Sequence, residues 1–123
     1  MKNILIVDDS STVRQQVSLA LQQVGFRVLE AADGRAAVTA LDKVEIALVI
    51  CDVNMPGMNG LEMLEQIQRD RRHTHIPVLM LTTESSKAVV DRAKSAGAKA
   101  WIVKPFKADL MVAAVQKILS RES

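Results

Sequence analysis

The sequence predicts an α/β fold: a (βα)5 chain whose five strands form a doubly wound parallel sheet in the order 2-1-3-4-5. Three observations lead there. Short apolar runs recur along the 123 residues, and they are too continuous for strands with one wet face. Between them lie stretches whose apolar residues repeat at helical spacing. Strands that alternate with helices in this way imply right-handed crossovers covering both faces of the sheet, which leaves few topologies.

The elements follow in order. Ile4-Leu5-Ile6-Val7 is the first strand. The first helix runs from Ser11 to Val24 with Val13, Val17, Ala20, Leu21 and Val24 on one face. Ser10 or Ser11 caps its start, and Gly25 supplies the left-handed residue that stops it. Phe26 to Ala31 is the second strand, and Asp33-Gly34 opens a short helix that turns Ala36, Ala37, Ala40 and Leu41 inward. Ile46 to Cys51 is the most apolar run, hence a central third strand buried on both faces. Val53 to Asn59, with Pro56 and Gly57, is a loop, and Leu61, Leu64 and Ile67 mark the third helix. Pro77 to Leu81 is the fourth strand, followed by a helix from Ser85 to Ala96 that Gly97 stops. Lys99 to Val103 is the fifth strand. Lys107 to Ser120 is the last helix, with Leu110, Met111, Ala114, Val115 and Ile118 inward.

Composition supports one domain over 1–123, with no linker, repeat or output domain. Hydrophobic residues make up 49% and charged residues 24%, which excludes disorder and collagen-like structure. Phe26, Trp101 and Phe106 are the only aromatic residues, so the core is aliphatic, with methionines filling gaps. One cysteine, Cys51, cannot make an internal disulfide; it reads as a small buried hydrophobe and fits a reducing compartment. No run approaches the roughly 18 apolar residues of a membrane span, and no signal peptide precedes the first strand, so a cytoplasmic location is expected. The net charge of +2 is far from a nucleic-acid-binding signature. Its distribution is uneven: residues 1–84 carry 8 basic and 11 acidic side chains, residues 85–123 carry 8 and 3. His73 and His75, in a loop with three arginines, read as solvated surface rather than a metal site.

Ligands of open parallel sheets bind beyond the carboxyl ends of the strands, at the switch point between strands 1 and 3. Strand 1 ends in Asp8-Asp9, strand 3 in Asp52, strand 4 in Thr82-Thr83 and strand 5 in Lys104-Pro105. A lone aspartate after a strand is usually a cap or turn former, but four strands delivering functional groups to one rim are harder to explain so. Carboxylates held within about 4–5 Å repel by several kcal/mol at an effective dielectric of about 20. A hard divalent cation compensates, and Mg2+ suits one or two carboxylates with a phosphoryl oxygen. The carbonyl of Asn54 can add a neutral ligand, Lys104 a second positive charge and Thr82 a hydroxyl. This is equipment for holding a phosphoryl group around a carboxylate nucleophile, with Asp52 ionised near pH 7 and needing no general base.

Asp8-Asp9, then Asp52-Val53-Asn54-Met55-Pro56-Gly57-Met58-Asn59-Gly60, then Thr82 and Lys104-Pro105 together resemble the bacterial response-regulator receiver domain, over essentially the whole chain. Asp8-Asp9-Ser10-Ser11-Thr12-Val13-Arg14 is similar to stand-alone chemotaxis regulators of the CheY type. The resemblance implies the flavodoxin-like, CheY-like fold. It implies that Asp52 accepts a phosphoryl group from a histidine kinase or small phosphodonor. It implies that Asp9, Asp52 and the Asn54 carbonyl bind Mg2+, with Asp8 acting through water. It further implies that Thr82 and Lys104 contact the phosphoryl oxygens and that Lys104-Pro105 is cis. Asn54 and Glu84 correspond to the positions that tune phosphoryl lifetime. Where the family usually carries Tyr or Phe, this chain has Trp101, a larger ring without a phenolic hydroxyl. On strand alternation it shares a face with Val103 and opposes Ile102. The family's output surface lies on the fourth helix, fifth strand and fifth helix, where Lys87, Arg92, Lys94, Lys99, Lys107 and Lys117 fall. An acidic partner surface would match them, and neither nucleic acid nor membrane is expected as a partner.

Two other classes compete. A Mg2+-dependent phosphohydrolase of the haloacid-dehalogenase type also places an Asp nucleophile after an apolar strand. It carries a second Asp two residues on, where this chain has Asn54. A flavin or nucleotide binder on the same fold would need a phosphate-cradling loop after strand 1, where Asp8-Asp9 would repel phosphate.

Overall fold

The structure, a computed structural model, describes residues 2–54, 59–83 and 86–122. Strands and helices alternate as β1 (Asn3–Val7), α1 (Ser11–Gln23), β2 (Arg27–Ala31), α2 (Gly34–Lys43), β3 (Leu48–Cys51), α3 (Gly60–Arg69), β4 (Val78–Thr82), α4 (Lys87–Ser95), β5 (Ala100–Val103) and α5 (Ala108–Glu122). The strands are parallel and ordered β2-β1-β3-β4-β5, as the sequence predicts. Of the expected elements, residues 55–58 of the loop after β3, together with Glu84 and Ser85, lie outside the described residues. No helix among the described residues is long and apolar enough to cross a membrane.

Burial explains the order. Every residue of β3 and β4 is buried, and β1 is buried from Ile4 onward. Edge strands β2 and β5 are only partly covered. Side chains alternate between two aliphatic layers, as the pleat requires. Leu5, Val7, Val49, Cys51, Val78 and Met80 face α2, α3 and α4 through Ala37, Leu41, Leu61, Leu64, Ile67 and Ala93. Ile4, Ile6, Leu48, Ile50, Leu79 and Leu81 face α1 and α5 through Val17, Leu21, Met111, Val115 and Ile118. Met63, Met80 and Met111 are fully buried and supply bulk that aromatic residues would otherwise provide. Trp101 packs into the first layer and Ile102 into the second, the alternation expected of them.

Local signals set the helix starts. Ser10, Asp33, Asn59 and Ser86 each accept a bond from the backbone N–H three residues on, relieving donors that the first turn leaves unpaired. Gly25 and Gly97 turn the chain after α1 and α4 with φ of +94° and +96°, a region open to glycine at little strain.

Five expectations are corrected. Val24 is 46% exposed because it is the C-cap of α1, where the helical period has already ended. Leu110 is 62% exposed and Ala36 is exposed too; each lies off the buried stripe of its helix, which runs through Gly34, Ala37 and Leu41 on α2 and through Met111, Val115 and Ile118 on α5. Val112 and Leu119 are buried in their place on α5. The third strand begins at Leu48, although Ile46 is already buried. His73 is buried, its Nδ1 lying 3.4 Å from Asp70 Oδ2 and its Nε2 3.7 Å from Asp42 Oδ1. The ring links α2 to the turn after α3, a pairing across thirty residues of chain that no local pattern signals.

Candidate functional site

Sheet register brings the strand ends to one level. Val7 lies opposite Cys51, and Thr82 opposite Val103, so the residues that follow emerge together at the carboxyl rim. The Asp52 N–H donates to the Val7 carbonyl at 2.9 Å, and the Lys104 N–H to the Thr82 carbonyl at 2.7 Å. The ladder thus runs one step past the strands and fixes the backbone of both residues. Asp8, Asp52 and Thr82 are buried, whereas Asp9 is exposed at the mouth.

The three aspartates offer carboxylate oxygens that lie within 4.8 Å of one another. The Lys104 ammonium is 2.9 Å from Asp8 Oδ2 and 3.5 Å from Asp52 Oδ1. Its closer partner here is Asp8. The backbone N–H of Asn54 donates to Asp52 Oδ1 at 3.3 Å, and the Asn54 amide donates to Thr83 Oγ1 at 3.3 Å, tying the loop after β3 to the end of β4. Burial pushes the Asp52 carboxyl above its ordinary range, and the Asp8 charge adds to that push; Lys104 and the Asn54 N–H oppose it. The same burial pushes the Cys51 thiol up, and its Sγ lies 3.8 Å from Met63 Sδ. Cys51 is packing, as its place on β3 suggested.

Among the described residues, three carboxylates against one ammonium form a site short of positive charge. A small hard cation fits this donor set: the donors are oxygens, they converge, and Asp9 is open to solvent. The expected Lys104-Pro105 cis peptide is present. Trp101 lies opposite Met80 in the sheet, half-buried, and its indole Nε1 has no hydrogen-bond partner among the described residues. Glu84 lies outside the described residues.

Gly60, the first residue of α3, is a site residue that sequence reasoning passed over. A Cβ there would overlap the Asp52 carbonyl oxygen and stand 2.8 Å from Val53 Cα. Its N–H donates to the Val53 carbonyl at 2.8 Å, so the helix start is seated directly on the backbone that carries Asp52. The obstacle is backbone, which cannot swing aside. Gly60→Ala is therefore expected to destabilise the fold by about 2–3 kcal/mol, in the range of overpacked sites. Urea unfolding measures it, and a midpoint equal to the parent's would show that α3 has room to shift.

Residues 4–116 match the family model described as response regulator receiver domain. The chain is 42% identical to chemotaxis protein CheY-3 of Vibrio cholerae over 119 residues, covering 96% of this chain and 92% of the relative. It is 39% identical to chemotaxis protein CheY of Pseudomonas aeruginosa, covering 96% of each chain. Among solved structures, chemotaxis protein CheY4 of Vibrio cholerae superposes with a TM-score of 0.91 at 40% identity, covering 96% of this chain and 98% of that one.

Proposed function

The chain belongs to the response-regulator receiver family and is a CheY-like, phosphorylation-activated signalling switch, and from that premise we propose the roles of its residues. Asp52 is the phosphoacceptor. The observation that carries this is the carboxylate's seat at the end of the buried central strand, beside two further carboxylates and an ammonium. One Asp52 oxygen attacks the phosphorus of a phosphohistidine or small acyl phosphate. The new O–P bond forms as the bond from phosphorus to the donor's nitrogen or oxygen breaks, and the donor leaves with that electron pair. Asn54 N–H and Lys104 both hold Oδ1, which steers Oδ2 toward the donor.

Asp9, Asp52 and the Asn54 carbonyl would hold Mg2+, with Asp8 acting through water. The cation would offset the charge gathered on the carboxylates and the phosphoryl oxygens. Lys104 pairs with a phosphoryl oxygen by leaving Asp8, and the Thr82 hydroxyl donates to another. Both residues sit at strand ends flanking the output side, so their movement alters the surface of α4, β5 and α5. There Lys87, Lys94, Lys99, Lys107 and Lys117 favour an acidic partner, while Arg92 is engaged by Glu65 of α3 at 2.8 Å. We read the chain as a single receiver domain acting on that separate protein in the cytoplasm, and its likeness to named chemotaxis proteins supports a place in chemotactic signalling. Asn54 and Glu84 are assigned to phosphoryl lifetime. No finding favours the phosphohydrolase reading, and Asn54 stands where that chemistry needs a second Asp.

Trp101 makes the switching reading testable. Its indole N–H is buried without a partner among the described residues, an arrangement that costs roughly 1–3 kcal/mol and favours any state that supplies an acceptor. Trp101 is the sole tryptophan, so emission reports this ring alone. Mg2+ with beryllofluoride, a phosphoryl mimic, is expected to change its intensity or emission maximum, and Asp52→Asn to remove the change. Identical spectra with the mimic demonstrably bound would make Trp101 static packing.

A further inference from the structure

Behind the carboxylate cluster lies a guanidinium with no role in the scheme above. Arg14, on α1, donates from Nη1 to the main-chain carbonyl of Asp8 at 2.6 Å and from Nε to Glu30 Oε1 on β2 at 3.1 Å. Its side chain is 17% exposed and that of Glu30 is 45% exposed. The carbonyl it grips belongs to the peptide that joins Asp8 to Asp9.

The two aspartates are held very differently. Asp8 is bonded at each polar atom. Its N–H donates to the Ala31 carbonyl at 3.1 Å, Oδ1 accepts from the Ser10 N–H at 2.9 Å, and Oδ2 accepts from Lys104 at 2.9 Å. Arg14 supplies the fourth bond. The Asp9 carboxylate has no hydrogen bond or ion pair among the described residues. The direction in which its side chain leaves the rim is therefore set by the backbone, through the plane of the Asp8–Asp9 peptide. Of the bonds to Asp8, the one from Arg14 is made to an atom of that peptide.

We propose that Arg14, braced by Glu30, is a positioning residue for Asp9: it fixes the Asp8–Asp9 peptide plane and so aims the exposed carboxylate at the cation position. The inference rests on the reading of Asp9 as a Mg2+ ligand. An arginine suits the task because its planar fork makes two bonds in fixed, divergent directions, whereas an ammonium on a flexible stem is a point charge. Groups that orient ligands without touching the metal commonly contribute tenfold or more to affinity.

Direction of effect separates positioning from charge. Through-space electrostatics alone would make Arg14→Met bind Mg2+ more tightly, since a positive charge near the cation is removed, and would leave Arg14→Lys unchanged. Positioning requires both to bind more weakly. Isothermal titration of the metal-free full chain with MgCl2 at fixed ionic strength measures this. Both variants are expected to lose roughly tenfold in affinity, with far-UV circular dichroism unchanged. Arg14→Lys keeps the charge and most of the stem, so it carries the test alone if Arg14→Met does not fold. A folded variant that matches or exceeds the parent's affinity overturns the inference. Asp9→Ala serves as the control. Parent binding that depends on Asp9 but not on Arg14 overturns the inference alone. A parent that binds no Mg2+, or an Asp9→Ala protein that binds like the parent, overturns the ligand reading and the inference with it.

Discussion

Replacing Asp52 by Asn is expected to raise the unfolding midpoint of the metal-free protein by about 4 °C, corresponding to about 1 kcal/mol in a domain of this size. Asp52 is buried and shares its pocket with Asp8 and Asp9. Like charges about 5 Å apart repel by about 3 kcal/mol at an effective dielectric of about 20, and attraction to Lys104 offsets part of that. Burial and the Asp8 charge together hold the Asp52 carboxyl above its ordinary value. The native state therefore binds this proton more tightly than the unfolded chain does. The stability Asp52 contributes is fully present below its unfolded pKa and is lost as pH rises through the raised folded pKa. Asparagine carries no such loss, so the variant's advantage should be small near pH 4 and grow toward pH 7. Thermal scans in EDTA across that range measure it. A variant less stable than the parent at pH 7, or an advantage independent of pH, would mean that the cluster is not strained.

Lys104→Ala should act in the opposite direction and more strongly. The ammonium is the only cation paired with Asp8 and Asp52 among the described residues, at 2.9 and 3.5 Å, and its side chain is 16% exposed. Breaking a buried pair from one side leaves an uncompensated charge, at a cost of about 3 kcal/mol or more. That corresponds to a midpoint lower by on the order of 10 °C in EDTA. Saturating Mg2+ should return a larger increment to the variant than to the parent, because the cation then supplies the missing positive charge. A metal-free midpoint indistinguishable from the parent's would show that Asp8 is compensated by its backbone bonds alone.

Much of this was legible in the sequence because the signals are local. A serine or aspartate before an apolar stripe placed the starts of α1 and α2, and glycine after a stripe placed two helix ends. Continuous apolar runs gave the sheet and its buried middle. The rim was legible for a topological reason: in a parallel sheet every strand ends on the same side, so Asp8, Asp52, Thr82 and Lys104 had to meet. What stayed hidden depends on atoms brought together across long separations. Lys104 approaches Asp8 more closely than Asp52, although 96 residues intervene, and spacing carries no information on which carboxylate an ammonium prefers. Gly60 carried no role in the stretch after Asp52, because nothing local shows that the Asp52 carbonyl packs against it. Arg14 lies at the margin of the α1 stripe, three residues before Val17, and only the position of Glu30 and the Asp8 carbonyl reveals its bonds. Leu110 misled because it is an apolar residue off the face of α5 that meets the sheet, next to the fully buried Met111.

Intact-mass spectrometry after incubation with acetyl phosphate and Mg2+ tests the assignment of Asp52 most directly. The parent should gain one phosphoryl group, the gain should require Mg2+, and Asp52→Asn should gain none. A singly labelled Asp52→Asn protein, or a parent that stays unlabelled while folded and bound to Mg2+, would contradict Asp52 as the phosphoacceptor.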